Sequence, residues 1–508
     1  MSKLPPSLLA KGLPILIFVL PFAVNYGFII DHFYDCQASI SDSGLMATLA
    51  WRNTWALHPP TVLGWGSFLQ AHVFGIFWLT SALSYILPLN MVQSYALYQG
   101  LYYALPAVTL YSFLLAQFPG LQQGWQRGWA AFLSLLFAFN GITQVLMDDT
   151  HPEIAGPTFL ILFLTLWVRQ RYGWAIVPFL LCLLVREDMG FHIVGILGLV
   201  LLGRGLSHRG FWQQPAGRWL WGFNLFAFTY SIGIIVLQKI FAPEVYDQGY
   251  PLFAGVYLGD PAFAHLSAAF FRERLADQLR NLHYIYLPAL ATLSLSLYPR
   301  WRPTLLIGFL AYLPWYGLHL LAVKGIAGIL AKYYTFPYII SLAWPLVWPW
   351  MSHTNPTPST QRWGVKVFTV GVVLSILGAA LSPNVRTVDL SHFKRSANIS
   401  AFNAITAAAH VQDDWGQVYI DESIEVLLPR EFEQEAWLTH ADHESLQPAD
   451  NLLYCEPSLK PEGVEALLRS QSFKSHYRLK DTPLRLQTNW ALTEFEPQWA
   501  EVLEPIEQ

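Results

Sequence analysis

The chain has 508 residues, 54% hydrophobic and 15% aromatic, with 13% charged, a formal charge of −4 and a mean hydropathy of +0.35. Soluble domains carry about a quarter charged residues, so the composition excludes a water-soluble globular protein. It also holds no basic stripe of the kind that nucleic acid requires. Repeated uncharged runs of crossing length make it instead an α-helical polytopic membrane protein.

The first apolar run, Pro14 to Ile30, carries no charge and leads into bulky and acidic residues, not small ones, so it reads as a retained span and not a cleavable signal. Uncharged length places about eleven spans, at 13–30, 91–117, 129–147, 154–168, 173–185, 189–203, 219–241, 283–298, 303–323, 333–351 and 367–382. Those at 154–168, 173–185 and 189–203 are short against about twenty residues per span. Residues 61–88 are apolar enough to cross, yet hold Gly64, Gly66, Gln70, His72 and Pro88.

Charge asymmetry decides how that segment is read. With 61–88 kept on one side, one set of connections holds Lys3, Lys11, Arg127, Arg169, Arg171, Arg204, Arg209, Arg218, Arg300, Arg302, Arg362 and Lys366, with no Asp or Glu. The opposite set holds the acidic residues, among them Asp31, Asp35, Asp42, Asp148, Asp149, Glu153, Glu187 and Asp188. Lys and Arg collect on the cytoplasmic side. The N-terminus is therefore expected in the cytoplasm, with the acidic loops and the C-terminal tail outside. Residues 61–88 then read as re-entrant or as interfacial helices in the first outer loop, residues 31–90.

Beyond residue 382 the apolar runs shorten and Asp, Glu, Gln and Ser rise, dividing the chain into a transmembrane domain, 1–382, and an outer α/β domain, 383–508. Val418 to Ile420 and Leu452 to Tyr454 read as strands, Ala401 to His410 and Pro461 to Leu468 as helices. Cys182 lies in a span; Cys36 and Cys455 would share the outer side, where a disulfide can form.

The outer connections concentrate the chemistry. After the first span come Asp31, Asp35 and then Asp42-Ser43-Gly44, followed by a helix-like run to Trp51-Arg52. Next are Asp148-Asp149-Thr150-His151-Pro152-Glu153, Arg186-Glu187-Asp188, and Lys324 with Lys332-Tyr333-Tyr334. Charges near membrane depth are costly, so such groups face a cavity or one another. Each also has a plain structural reading. Asp42 suits the N-cap of the following helix, Pro152 a helix start, Glu187 and Asp188 an internal pair with Arg186, and the tyrosines an interface belt. No CxxC, HExxH, Walker or GxGxxG pattern is present.

One span followed by an acidic residue that opens Asp42-Ser43-Gly44-Leu45-Met46-Ala47-Thr48-Leu49-Ala50-Trp51-Arg52 resembles the first outer loop of GT-C-type glycosyltransferases. A closer resemblance is to an uncharacterised bacterial family of predicted membrane proteins, a domain of unknown function. It rests on Asp42/Gly44, His72, His151-Pro152-Glu153 and Glu187-Asp188. The chain departs from the pattern at His72, where the usual following proline is missing, and at Asp42, which is followed by serine and not a second acidic residue.

The resemblance implies a GT-C-like membrane domain in a bacterial plasma membrane, moving a sugar from a polyprenyl-phosphate-type lipid to an acceptor outside. Asp42 would be the general base, with Asp148, Asp149, Glu187 and Asp188 as further catalytic candidates. Arg52, Arg186, Lys324 and Lys332 would meet the leaving phosphate, and His72, His151, Glu153 and Tyr333 would line the substrate site. A divalent Mg or Mn ion on Asp42, Asp149 and His151 would serve the same end. A transporter or flippase for a lipid-linked or polar solute is the alternative, but no inverted repeat is visible; a membrane anchor for the outer domain leaves the acidic loops unexplained.

Overall fold

The computed structural model describes residues 6–34, 44, 46–47, 49–51, 68–70, 72–84, 86–87, 89–122, 124–148, 150–207, 210–241, 257–259, 261–298, 301–323, 325–330, 332–353 and 356–383, and, toward the C-terminus, 418–421, 435–437, 451–455, 474–480, 482 and 484–506. Helices dominate the first part: α1 (Pro6–Tyr34), α2 (Ile76–Ser84), α3 (Met91–Gln117), α4 (Gly124–Ala138), α5 (Gly141–Asp148), α6 (Ala155–Val168), α7 (Tyr172–Leu183), α8 (Met189–Ser207), α9 (Pro215–Phe241), α10 (Ala268–Asn281) and α11 (His283–Leu297). A bent run follows through Pro303–Leu306, Ile307–Leu310 and Leu313–Leu321, together α12, and then α13 (Tyr338–Ser352) and α14 (Pro358–Leu381).

Each of the eleven expected spans therefore falls on helix, but length sorts them. Among the described residues five helical runs are long and apolar enough to cross a membrane, or six if the pair Trp125–Ala138 and Gly141–Met147 is one bent span. The pair bends by 45° because Asn140 turns its side-chain oxygen onto the Ile142 and Thr143 amides, at 2.9 and 3.1 Å, and so starts a new helix. The twelve residues of α7 reach only about 18 Å at 1.5 Å per residue. Helix α2, with nine residues, is likewise too short to cross. Helix α14 starts nine residues before the expected span because Thr357 caps it and Pro358 occupies its first turn.

In hydrocarbon, helices gain by close contact and not by apolar burial alone. Helix α1 packs along α3, α11 along α14, α6 along α7, and α8 along α9. The last pair meets backbone to backbone: a Cβ on Gly190 would lie 2.1 Å from the Ala227 carbonyl oxygen, so only glycine fits there. Trp344 and Trp348 are wholly buried on α13 and both donate to Thr304, at 3.1 and 2.8 Å, tying α13 to the start of α12.

The C-terminal region holds a six-stranded sheet of order β2-β1-β3-β5-β4-β6. Its strands are β1 (Val418–Asp421), β2 (Glu435–Trp437), β3 (Asn451–Cys455), β4 (Ser475–Leu479), β5 (Leu484–Thr488) and β6 (Leu503–Pro505). β1 runs parallel to β2 and β3, and the remaining pairs are antiparallel. Leu453, Leu479, Leu484, Leu486 and Leu503 are buried in it. The strands expected around Val418 and Leu452 are β1 and β3; the helices expected at 401–410 and 461–468 lie outside the described residues.

Candidate active site

Two short connections, the segment just ahead of α2 and one strap converge at one end of the helices. His72 lies ahead of α2, His151 and Glu153 between α5 and α6, and Arg186, Glu187 and Asp188 between α7 and α8. The strap, residues 322–335, joins α12 to α13 and carries Lys332 and Tyr333. The connections between α5 and α6 and between α7 and α8 are short because the flanking residues are apolar and helical almost up to them, so their polar groups are forced inward beside one another.

Arg186 is the hub. Its Nη1 donates to Glu153 Oε1 at 2.7 Å, its Nε to Asp188 Oδ1 at 2.8 Å, and its Nη2 to Asp188 Oδ2. The guanidinium also lies 5.8 Å from the ring centres of both Trp315 and Phe336. Burial works against its charge, but Asp188, fully engaged with it, more than offsets this and raises its pKa. Burial likewise works against the Asp188 carboxylate, and Arg186 outweighs it, holding the carboxyl well below its usual range. A buried cation left with one anion would be poorly compensated; here it has two. His192, one turn into α8, stands 3.8 Å from Asp188 and closes the aromatic wall with Trp315 and Phe336.

Glu153, 1% exposed at its side chain, also receives the His151 Nδ1. His151 is stacked on Tyr333, with ring centres 4.1 Å apart and planes within 13°. Burial pushes the His151 pKa well below its usual value of 6.5, with Arg186, then His72 and Lys332, adding positive potential. A neutral ring still donates Nδ1–H to Glu153. Tyr333 in turn donates to the Tyr334 hydroxyl at 2.9 Å, and Trp315 donates to the Tyr334 carbonyl at 3.0 Å. The strap reaches this position through two residues in left-handed conformation, Leu330 at φ 51° and Lys332 at φ 58°.

Glu187 makes a second, more open pair. Its Oε1 is 2.8 Å from His72 Nδ1 and its Oε2 accepts the Val73 amide at 2.9 Å. Ser231 of α9 donates to its carbonyl at 2.5 Å, just beside the Gly190–Ala227 contact. With 31% of its side chain exposed against 11% for Glu187, His72 is the outward member. A carboxylate on Nδ1 fixes the tautomer and leaves Nε2 to face a ligand.

The convergence joins His72, His151, Glu153, Arg186, Glu187, Asp188 and Tyr333, with Lys332 on the same strap. Asp42, Arg52, Asp149 and Lys324 lie outside the described residues, and of Asp148 only its place at the end of α5 is described. Arg186, an expected phosphate partner, directs one N–H from each of its three nitrogens to Glu153 and Asp188. His192, Trp315 and Phe336 are members that sequence reasoning did not name; the Asp188/His192 spacing of four on a helix was the available signal. Of the three residues expected to hold a divalent ion only His151 is described, Asp42 and Asp149 lying outside the described residues. No group of three His, Cys, Asp or Glu among the described residues is placed to hold one, and the Glu153 and Glu187 oxygens are already taken.

No family model matches the chain, so the resemblance to the uncharacterised family gains no support there, and no curated protein matches it. The fold does match a solved structure, ArnT from Cupriavidus metallidurans bound to undecaprenyl phosphate, over 95% of this chain and 98% of that one. The TM-score is 0.52 and the identity 12%. The chain has a GT-C-like fold. At that identity the likeness speaks for the architecture of the helices and the strand-bearing C-terminal region, and not for individual side chains.

Proposed function

We propose that the chain is an integral-membrane glycosyltransferase that moves a sugar from a polyprenyl-phosphate-type lipid to an acceptor at the outer face of a bacterial plasma membrane. The observation that carries this reading is the convergence of His72–Glu187 and of the Glu153–Arg186–Asp188 network with the Lys332–Tyr333 strap at one end of a GT-C-like bundle. The solved structure that shares this fold was captured with undecaprenyl phosphate, a lipid of the class proposed as carrier.

In the reaction the acceptor hydroxyl oxygen attacks the anomeric carbon and its proton passes to a base. The bond from that carbon to the phosphate oxygen breaks, and its electron pair leaves with the lipid phosphate. Asp42 is the proposed base, with His72, oriented by Glu187 at 2.8 Å, as the second proton-handling group. Lys332 supplies positive charge toward the leaving phosphate, and Tyr333, held flat on His151, lines the sugar side of the site. Arg186 acts through Glu153 and Asp188 as a positioning residue. No step is routed through a metal.

The test is transfer of label from radiolabelled polyprenyl-phosphate sugars in membranes, with native protein, Asp42→Asn and His72→Gln at equal expression. Label that moves in the native protein and is lost in Asp42→Asn supports the reading and its base together. Transfer that survives Asp42→Asn and is lost in His72→Gln moves the base to His72; survival in both moves it to Asp148 or Asp149. No transfer from any donor, with donor-independent uptake of solute into vesicles, overturns the enzyme in favour of a transporter.

A further inference from the structure

A corner of the bundle remote from the candidate site holds a buried cation whose donors outnumber their acceptors. Arg204, in the last turn of α8, is 6% exposed. Its faces meet the rings of Phe211 and Trp167, with centres 4.7 and 5.8 Å away. Its edges are less well provided. A guanidinium carries five N–H donors in one plane, and among the described residues only Nη2 finds an acceptor, the Trp350 carbonyl at 3.1 Å. The Nε of Arg204 is buried and meets none, and neither does the buried indole Nε1 of Trp167. Two rings and one carbonyl hold Arg204 in the fold, yet they leave two buried donors on adjoining side chains without acceptors, an arrangement that costs free energy unless an acceptor arrives.

The helical part of the chain has no anion to give them. No Asp or Glu occurs in residues 43–147, 154–186, 189–243 or 278–388. Those ranges hold every helix that meets in this corner. Trp350 of α13 packs on Phe113 of α3 at 5.4 Å, and Tyr172 of α7 packs on Trp167 of α6 at 6.1 Å and on Trp219 of α9 at 6.4 Å. The exposed charges beside it are basic instead, with Arg171 opening α7 and Arg218 in the first turn of α9.

A phosphate group suits what is missing. It is anionic, and its oxygens match the fork of a guanidinium. Phosphate esters are also the charged groups found where a spanning helix ends, and α8 is long and apolar enough to span.

We propose that Arg204 and the Trp167 indole N–H form a binding site for a phosphate group at the end of the helices remote from the candidate active site, filled by an anionic lipid headgroup or by a phosphate-bearing solute. The inference stands whether or not the chain transfers sugar. In the test, the immobilised full chain in phosphate-free detergent is titrated with radiolabelled dioctanoyl phosphatidylglycerol in one arm and radiolabelled inorganic phosphate in the other. Native protein is compared with Arg204→Met, Trp167→Phe and, as the control, Arg218→Met.

One saturable molecule per chain is expected to be lost in Arg204→Met, bound about tenfold more weakly in Trp167→Phe through the loss of one charge-assisted hydrogen bond, and unchanged in Arg218→Met. Loss in the lipid arm alone assigns the site to a headgroup. Loss in the phosphate arm, with or without the lipid arm, assigns it to the phosphate group itself. Binding that is equal in native protein and Arg204→Met in both arms, or weakened as much by Arg218→Met, overturns the proposal. If Arg204→Met fails to fold, Trp167→Phe, which keeps an aromatic ring in place, decides the case, and unchanged binding there overturns it.

Discussion

The two ends of α8 hold the same residue type in opposite ways. Arg186, three residues before Met189, is buried among carboxylates, with Glu153 and Asp188 on its donors and Trp315 and Phe336 on its faces. Arg204, in the last turn and about 22 Å along α8 from Met189 by helical rise, is just as buried, at 6% exposure for each. Yet no carboxylate among the described residues pairs with Arg204. It lies 4.7 Å from the Phe211 ring centre and 5.8 Å from that of Trp167, and donates to the Trp350 carbonyl at 3.1 Å. A guanidinium can be housed by aromatic faces and backbone carbonyls alone. The Arg186 end differs from the Arg204 end in its carboxylates, and such a cluster of coupled ionisable groups is why that end is the one proposed as the site.

The sharpest way to break this contrast is Arg186→Met beside Arg204→Met. Removing Arg186 strands two buried carboxylates and is expected to cost about 3–5 kcal/mol, read as thermal unfolding in detergent by tryptophan fluorescence. If the two variants melted alike, the distinction between the ends would fall. Next in size, Glu153→Gln combined with Arg186→Met should lose about 2 kcal/mol less than the sum of the single changes, because each single change already breaks the same pair. Strict additivity would mean the two residues are not coupled.

His151 gives the third test. Its pKa is depressed in the folded protein, so below about pH 6.5 the unfolded chain binds a proton at residue 151 that the fold refuses. Stability should therefore fall as pH drops from 7 toward 5, by about 1.4 kcal/mol per unit once below that value. Asp188, whose pKa is also depressed, contributes stability that is present above about pH 4 and lost only below it, so the two windows do not overlap. Replacing His151 by Asn should flatten the upper window, and a slope that persists would place its origin elsewhere. The smallest effect expected is that of Arg204→Met itself, about 1–2 kcal/mol for the lost ring contacts and hydrogen bond.

Apolar length is a local signal, and it carried the helices well. The span expected at 91–117 is α3 to the residue. Where the chain bends, local signals were misleading: Asn140-Gly141 is a turn dipeptide inside an apolar run, and only its side-chain caps and the Ser375 carbonyl, 2.1 Å from a Cβ on Gly141, reveal why the helix breaks there. In the site, His151-Pro152-Glu153 and Arg186-Glu187-Asp188 were visible as polar words between apolar ones. Their partners were not, because Arg186 finds Glu153 across 33 residues and Glu187 finds His72 across 115. Helix α10 was read only as part of a long mixed loop, since its leucines alternate with charges and what lies inside is polar.

Lys332 has a consequence for mutational tolerance. At φ 58° its backbone sits where glycine or asparagine is comfortable and a lysine is disfavoured by about 1–2 kcal/mol. Most positions of a protein answer a scan for stability and a scan for activity in the same direction. This one should answer in opposite directions, with Lys332→Gly and Lys332→Asn scoring neutral or better for folding and worse for activity. Leu330, at φ 51° but wholly buried, should lose on both counts, since its side chain is kept for packing. The paired scans thus separate a left-handed position kept for packing, Leu330, from one whose proposed task lies in its ammonium group, Lys332.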